Sequence, residues 1–188
     1  MTGGAVIDLL RHGETGQSGF RGRLDDPLTP AGWEEMRRAT REAGAWQAVI
    51  SSPLARCADF ARAFAAQANL PFAIDARLAE LHFGDWEGMR AEDLMRTRPD
   101  ALARFWNAPW SFPPPNGEGL AAFESRVRAV WGDLSERYGG RHVLVVTHGG
   151  VIRLWLCLVR GLARDELLRL EVPHASLHRI GAASPAAS

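Results

Sequence analysis

Val143-Leu144-Val145-Val146-Thr147-His148-Gly149-Gly150-Val151-Ile152-Arg153-Leu154-Trp155-Leu156-Cys157-Leu158 decides the fold. Val143–Val146 reads as a fully apolar strand, and the run after Gly149-Gly150 reads as an apolar helix through Leu158. The same strand-then-polar-turn pattern stands at the other end of the chain. There Val6-Ile7-Asp8-Leu9-Leu10 is a buried strand followed by the loop Arg11-His12-Gly13-Glu14-Thr15. Between them, Thr29-Pro30 starts a helix through Trp33, Met36 and Arg37 that stops near Gly44, with Thr29 as N-cap and Pro30 at the first helical position. Trp46 to Ile50 is a second strand, and Ser52-Pro53 repeats the cap signal before a helix carrying Leu54, Phe60, Phe64 and Ala68. Phe72 to Ile74 is a short third strand, and residues 90–107 are helical with an interruption at Pro99. From Gly117 the residues Leu120, Phe123, Val127, Val130, Trp131, Leu134 and Tyr138 recur at steps of three and four until Gly139-Gly140. Ala175 to Ile180 forms a last strand, and Gly181–Ser188 is expected to be a disordered tail. Alternating strands and helices predict an α/β fold: a three-layer sandwich with a mostly parallel central sheet flanked by helices, in one domain over residues 1–188.

Composition narrows the function. All 22 basic residues are Arg, and they balance 22 acidic ones. With no Lys, a Walker-type phosphate loop, a pyridoxal Schiff base and a protein kinase strand Lys are all impossible. The neutral net charge argues against binding duplex nucleic acid. Cys57 and Cys157 form no CxxC pair, and a cysteine-phosphatase spacing fails because position 63 is Ala. They read as buried thiols of a reducing compartment. No signal peptide and no long apolar run is visible, so the expectation is a cytoplasmic enzyme without a membrane partner.

Three strand ends then carry phosphate-friendly residues. The first supplies Arg11, His12 and Glu14, the second Ser51, Ser52 and Arg56, the third Thr147, His148 and Gly149. In an open α/β sheet such ends converge on one rim, where Arg groups and helix N-termini favour an anion. Glu80, in a Gly-punctuated loop, is an available acid. Without a Cys nucleophile or a metal cluster, the nucleophile that remains for phosphate chemistry is a neutral imidazole.

Five blocks in order extend this reading. Leu10–Thr15, Gly22–Gly32, Ser51–Arg56, Glu80–Gly88 and Val146–Gly150 resemble the motifs of the histidine phosphatase superfamily, also called phosphoglycerate mutase-like. The resemblance implies a metal-independent phosphomonoesterase without cofactor, acting on a small-molecule phosphomonoester as a monomer or homodimer. It implies that His12 is the nucleophile that becomes phosphohistidine and that Glu80 is the acid and base. It also implies that Arg11, Arg56 and His148 hold the phosphoryl group. Arg21–Leu28 and Phe83–Gly88 resemble the α-ribazole phosphatase branch, so α-ribazole 5′-phosphate is the expected substrate. A general sugar-phosphate phosphatase or a phosphoglycerate mutase is the alternative. Ser18, Arg21, Arg23, Phe83, Trp86 and Gly149 are candidate substrate contacts, with Phe83, Trp86, Trp106 or Trp110 as an aromatic wall. Ser18 stands where the family often has Asn.

Other polar residues have plainer readings. Glu14 fits a helix-end or salt-bridging role, and His82 a structural or substrate-adjacent one. His174 and His178 have i, i+4 spacing but lack a third metal ligand. Trp33, Trp131 and Trp155 are expected in the core.

Overall fold

The structure, a computed structural model, describes residues 4–41 and 44–181. Most of the expected tail, from residue 182 on, lies outside the described residues, as do residues 42–43 after the first helix. The strands are β1 (Val6–Arg11), β2 (Ala48–Ser51), β3 (Phe72–Ile74), β4 (His142–Thr147) and β5 (Leu177–Ile180). The helices are α1 (Pro30–Arg41), α2 (Ala55–Gln67), α3 (Ala91–Thr97), α4 (Pro99–Asn107), α5 (Leu120–Arg137) and α6 (Gly149–Arg160).

The sheet order is β3-β2-β4-β1-β5, with β5 antiparallel to β1 and the other pairings parallel. Because side chains alternate along a strand, Ile7, Leu9, Val143 and Val145 face α5 and α6, while Leu10, Leu144 and Val146 face α1 and α2. A smaller cluster of Trp86, Leu94, Leu102 and Phe105 joins α3 and α4 to the loop after Glu80. Among the described residues no helix is long and apolar enough to cross a membrane.

Two helix starts show how local signals fare. Thr29 caps α1 as its sequence predicts, its Oγ1 accepting from Gly32 N at 3.0 Å. The Ser52-Pro53 signal is met only in part. Helix α2 begins at Ala55, and the Ser52 hydroxyl, which accepts from Leu54 N at 3.3 Å, is shared with His148 at 2.6 Å. Asp25, thirty residues earlier, accepts from Ala55 N at 2.6 Å and supplies the negative charge that a helix N-terminus favours. Pro99 does separate α3 from α4, standing at the first position of the second helix.

Asp8 is the polar exception inside β1, fully buried. It accepts from Trp46 Nε1 at 2.9 Å, from Arg179 at 2.8 and 3.1 Å, and lies 2.8 Å from His142 Nε2. Trp46 therefore stands before β2 rather than in it. Burial works to raise the Asp8 pKa, but the Arg179 and Trp46 bonds and the His142 charge outweigh it, leaving the carboxyl below its ordinary value. A carboxyl held down by folding stabilises above its unfolded value and loses that contribution as pH falls through its folded value. Asp8→Asn should therefore cost about 2 kcal/mol at neutral pH. By urea denaturation, its deficit against wild type should shrink as the pH falls below the ordinary carboxylate range; an unchanged deficit would contradict this.

Candidate active site

The register β1–β4–β2 sets Arg11 beside Thr147 and Ser51 beside Val146, so the residues that follow each strand meet at one rim. His12 and His148 come within 5.3 Å between ring centroids. His12 Nδ1 lies 2.8 Å from Gly13 O, and a carbonyl only accepts. The proton is thereby assigned to Nδ1, which leaves the lone pair on Nε2. Burial, helped by the charges of Arg56 and Arg11, pushes the His12 pKa down to about 3 against the pull of the Gly13 carbonyl. The ring is a neutral base with its free nitrogen at Nε2.

Arg56 is buried to 2% exposure. Its Nη1 donates to Leu24 O (2.6 Å), its Nη2 to Gly22 O (2.7 Å) and its Nε to His148 Nδ1 (3.3 Å). Gly22 adopts φ +47°, a conformation an L side chain resists, and this turn presents its carbonyl to Arg56. Since Arg56 can only donate, His148 carries its proton on Nε2 and gives it to Ser52 Oγ at 2.6 Å. Complete burial first, then the Arg56 charge, holds His148 well below its ordinary pKa. Arg11 donates to Val172 O at 2.5 Å, while its buried Nε has no hydrogen-bond partner among the described residues. Arg153, one turn into α6, donates its Nε to Leu170 O at 2.7 Å. None of these three guanidiniums is in an ion pair among the described residues.

Glu80 is seated against the backbone at the start of α6. Its Oε2 accepts from Gly150 N at 3.0 Å and its Oε1 from Leu81 N at 2.8 Å. A Cβ on Gly150 would overlap Glu80 Oε1. The loop is braced from behind, Arg126 donating to Ala79 O and Glu80 O, and Thr147 to Leu78 O. Arg11, His12, Arg56, Glu80, Gly150, Arg153 and His174 all line one cavity of about 580 Å³. Its apolar wall is Phe20, Phe83, Phe105 and Trp106, with Ser18 and Gln17 near Phe20.

Several expected contacts stand elsewhere. Trp86 is 1% exposed and does not reach the cavity; it supports Phe105 edge-on at 5.4 Å and Phe20 at 5.8 Å. Trp110 packs under Arg164, outside the site. Arg23 is directed to the back of the acid loop, where its Nε donates to Glu80 O at 2.9 Å. Arg21 lines the cavity but pairs with Asp26 at 2.7 Å. Gly149 lies beneath Arg11 and Arg153, leaving room for both guanidiniums rather than facing the cavity. His148 is fully buried and meets the cavity through Arg56 and His12. Glu14 accepts from Thr29, and Glu118 pairs with Arg126 at 2.7 Å, so each braces structure. His174 and His178 part company, His178 bonding Ser176 while His174 stands 5.5 Å from His12. Sequence reasoning missed Ser52 as a partner of His148, and Phe20, Phe105, Arg153 and His174 as cavity residues. For Arg153 a signal existed, its placement three residues after Gly150, one turn into α6.

A parallel sheet that delivers a neutral imidazole, three unpaired guanidiniums and one carboxylate to a single cavity defines an enzyme for phosphate-like oxyanions. The family model described as histidine phosphatase superfamily (branch 1) matches residues 7–185, and the chain belongs to that superfamily. It is 31% identical over 169 residues to the adenosylcobalamin/α-ribazole phosphatase of Escherichia coli, covering 87% of this chain and 83% of that one. It is 29% identical over 177 residues to a putative phosphoserine phosphatase 2 of Hydrogenobacter thermophilus, covering 92% and 87%. Among solved structures, YhfR of Bacillus stearothermophilus superposes with a TM-score of 0.86 at 29% identity, covering 96% of this chain and 93% of that one. The chain is a phosphatase of this superfamily.

The Gly150–Glu80 seat makes a direct test. Gly150→Ala should leave the melting temperature within a few degrees of wild type yet lower kcat on the order of 100-fold, the loss expected when a general acid is displaced. Wild-type turnover in Gly150→Ala, measured by phosphate release, would show that the seat does not matter.

Proposed function

We propose that the chain hydrolyses phosphomonoesters through a phosphohistidine on His12, with α-ribazole 5′-phosphate as its substrate. The observation that carries the first part is the His12–Gly13 hydrogen bond, which leaves Nε2 free and unprotonated. The Nε2 lone pair bonds to phosphorus while the ester P–O bond breaks, and protonated Glu80 gives its proton to the departing oxygen. Water then attacks phosphorus, its proton goes to Glu80, and the P–N bond electrons return to His12. Arg11 and Arg56 hold the non-bridging oxygens, fixed charge being the main aid to phosphoryl transfer. The Nδ1–H stays on Gly13 O and steadies the charge that forms on the ring.

The substrate part is supported by the cavity beyond the phosphate end. Phe20 and Phe83 pack at 4.9 Å between centroids, and Trp106 at 44% exposure completes a wall suited to a flat, apolar ring. Arg21 is committed to Asp26 and Arg23 to the acid loop, so neither candidate cation awaits a carboxylate. The similarity to an α-ribazole phosphatase points the same way.

His12→Ala should abolish turnover with the fold intact. Glu80→Gln should slow phosphoenzyme formation 100- to 10,000-fold for alkyl phosphates and less for aryl phosphates, whose leaving groups need little help. Under one set of conditions, kcat/KM should favour α-ribazole 5′-phosphate over 3-phosphoglycerate and a hexose phosphate. Trp106→Ala should lower only the first, by about 2- to 12-fold. A preference for 3-phosphoglycerate would remove the α-ribazole assignment and leave the chemistry at His12 standing.

A further inference from the structure

The segment from Leu170 to Ser176 is strapped across the site. Arg153 donates to Leu170 O, Arg11 to Val172 O two residues on, and Ala175 N to His12 O at 3.2 Å. Arg11 N in turn donates to Ser176 O at 3.1 Å. At its end the strap turns, with Ser176 N donating to Pro173 O at 3.2 Å. Ala175, third in that turn, sits at φ +53°, where glycine is usual and alanine is strained. Strain of this kind persists where surrounding contacts enforce it, and it gathers at functional sites. Here it presents His174 to the cavity, its ring tilted 43° to that of His12 at 5.5 Å. Neither His174 ring nitrogen has a hydrogen bond among the described residues.

We propose that His174 is a phosphoryl-contacting residue that donates a hydrogen bond to a non-bridging oxygen and takes up a proton from solvent when the dianion enters. This rests on the reading of His12 as nucleophile. In-line attack puts the leaving oxygen on the far side of phosphorus from His12, so a group beside the His12 ring meets the other oxygens. The groups facing His174 are Arg11 from β1, the neutral His12, Glu14 from the loop after it and Glu35 from α1. Burial, then Arg11, lowers the His174 pKa against the opposing pull of Glu35 and Glu14. Near neutrality the ring is therefore uncharged until a dianion reverses the balance.

The test uses sulfate, a dianion with no proton to trade near neutral pH. Calorimetric titration in buffers of different ionisation heat counts the protons taken up on binding. Wild type should take up about one more proton per sulfate than His174→Asn and bind about 10- to 100-fold more tightly. His174→Arg, a cation that does not titrate, should recover most of the affinity without recovering the proton, which a merely structural role would not allow. In wild type itself, NMR titration of the His174 ring should move to higher pH with sulfate, a readout that needs no variant to fold. An unmoved titration, or equal proton counts in wild type and His174→Asn, would overturn the proposal. Sulfate failing to bind wild type at all would overturn the reading of the site, and this proposal with it.

Discussion

A guanidinium shut away from water without a carboxylate is the constraint on which the rest of this structure depends. Arg56 has each of its nitrogens on a neutral acceptor, two carbonyls and an imidazole. Those bonds replace lost water but leave the positive charge unbalanced, a costly state that an entering anion relieves. The surroundings serve that arrangement. Arg21–Asp26 pins the loop that offers Gly22 O and Leu24 O, and Asp25 of the same loop caps the helix that carries Arg56. His148 must stay neutral to accept from Arg56, and burial beside Ser52 keeps it so.

Glu80, the carboxylate that lines the cavity among the described residues, is kept from cancelling this charge. Glu80 takes two backbone N–H groups, from Leu81 and Gly150, instead of closing onto Arg11 or Arg56. Arg23 and Arg126, both attached to its backbone carbonyl, hold it at that distance from behind. The loop thus uses two cations as struts so that the cations in the cavity stay free for substrate.

What could be read from sequence was what is local. Val143–Val146 and Val6–Leu10 make strands because their apolar runs leave little alternative, and His12, Arg11 and His148 follow from standing directly after them. Glu80 was legible through its Gly-punctuated loop. What depended on distant packing was not. Trp86 looked like a substrate wall until α3 and α4 closed over it and left Phe20, Phe83, Phe105 and Trp106 facing the cavity. Ser52-Pro53 carries a cap signal, but its hydroxyl is shared with a buried imidazole and the helix starts only at Ala55. Arg23 and His174 could be placed only once the acid loop and the antiparallel return of β5 were known. Asp8 read as an ordinary member of a buried strand, because its partners lie at Trp46, His142 and Arg179.

The sheet order also bears on how the chain can be made. β1 leaves the ribosome well before its neighbours β4 and β5, and His142 trails Asp8 by 134 residues. Throughout that interval Ile7, Leu9 and Leu10 belong to an apolar segment with both edges open, a template for pairing with other nascent chains. A single ionised side chain at its centre is the kind of gatekeeper that discourages such pairing. Asp8 is placed to guard the newborn strand first and to fasten the finished sheet afterwards.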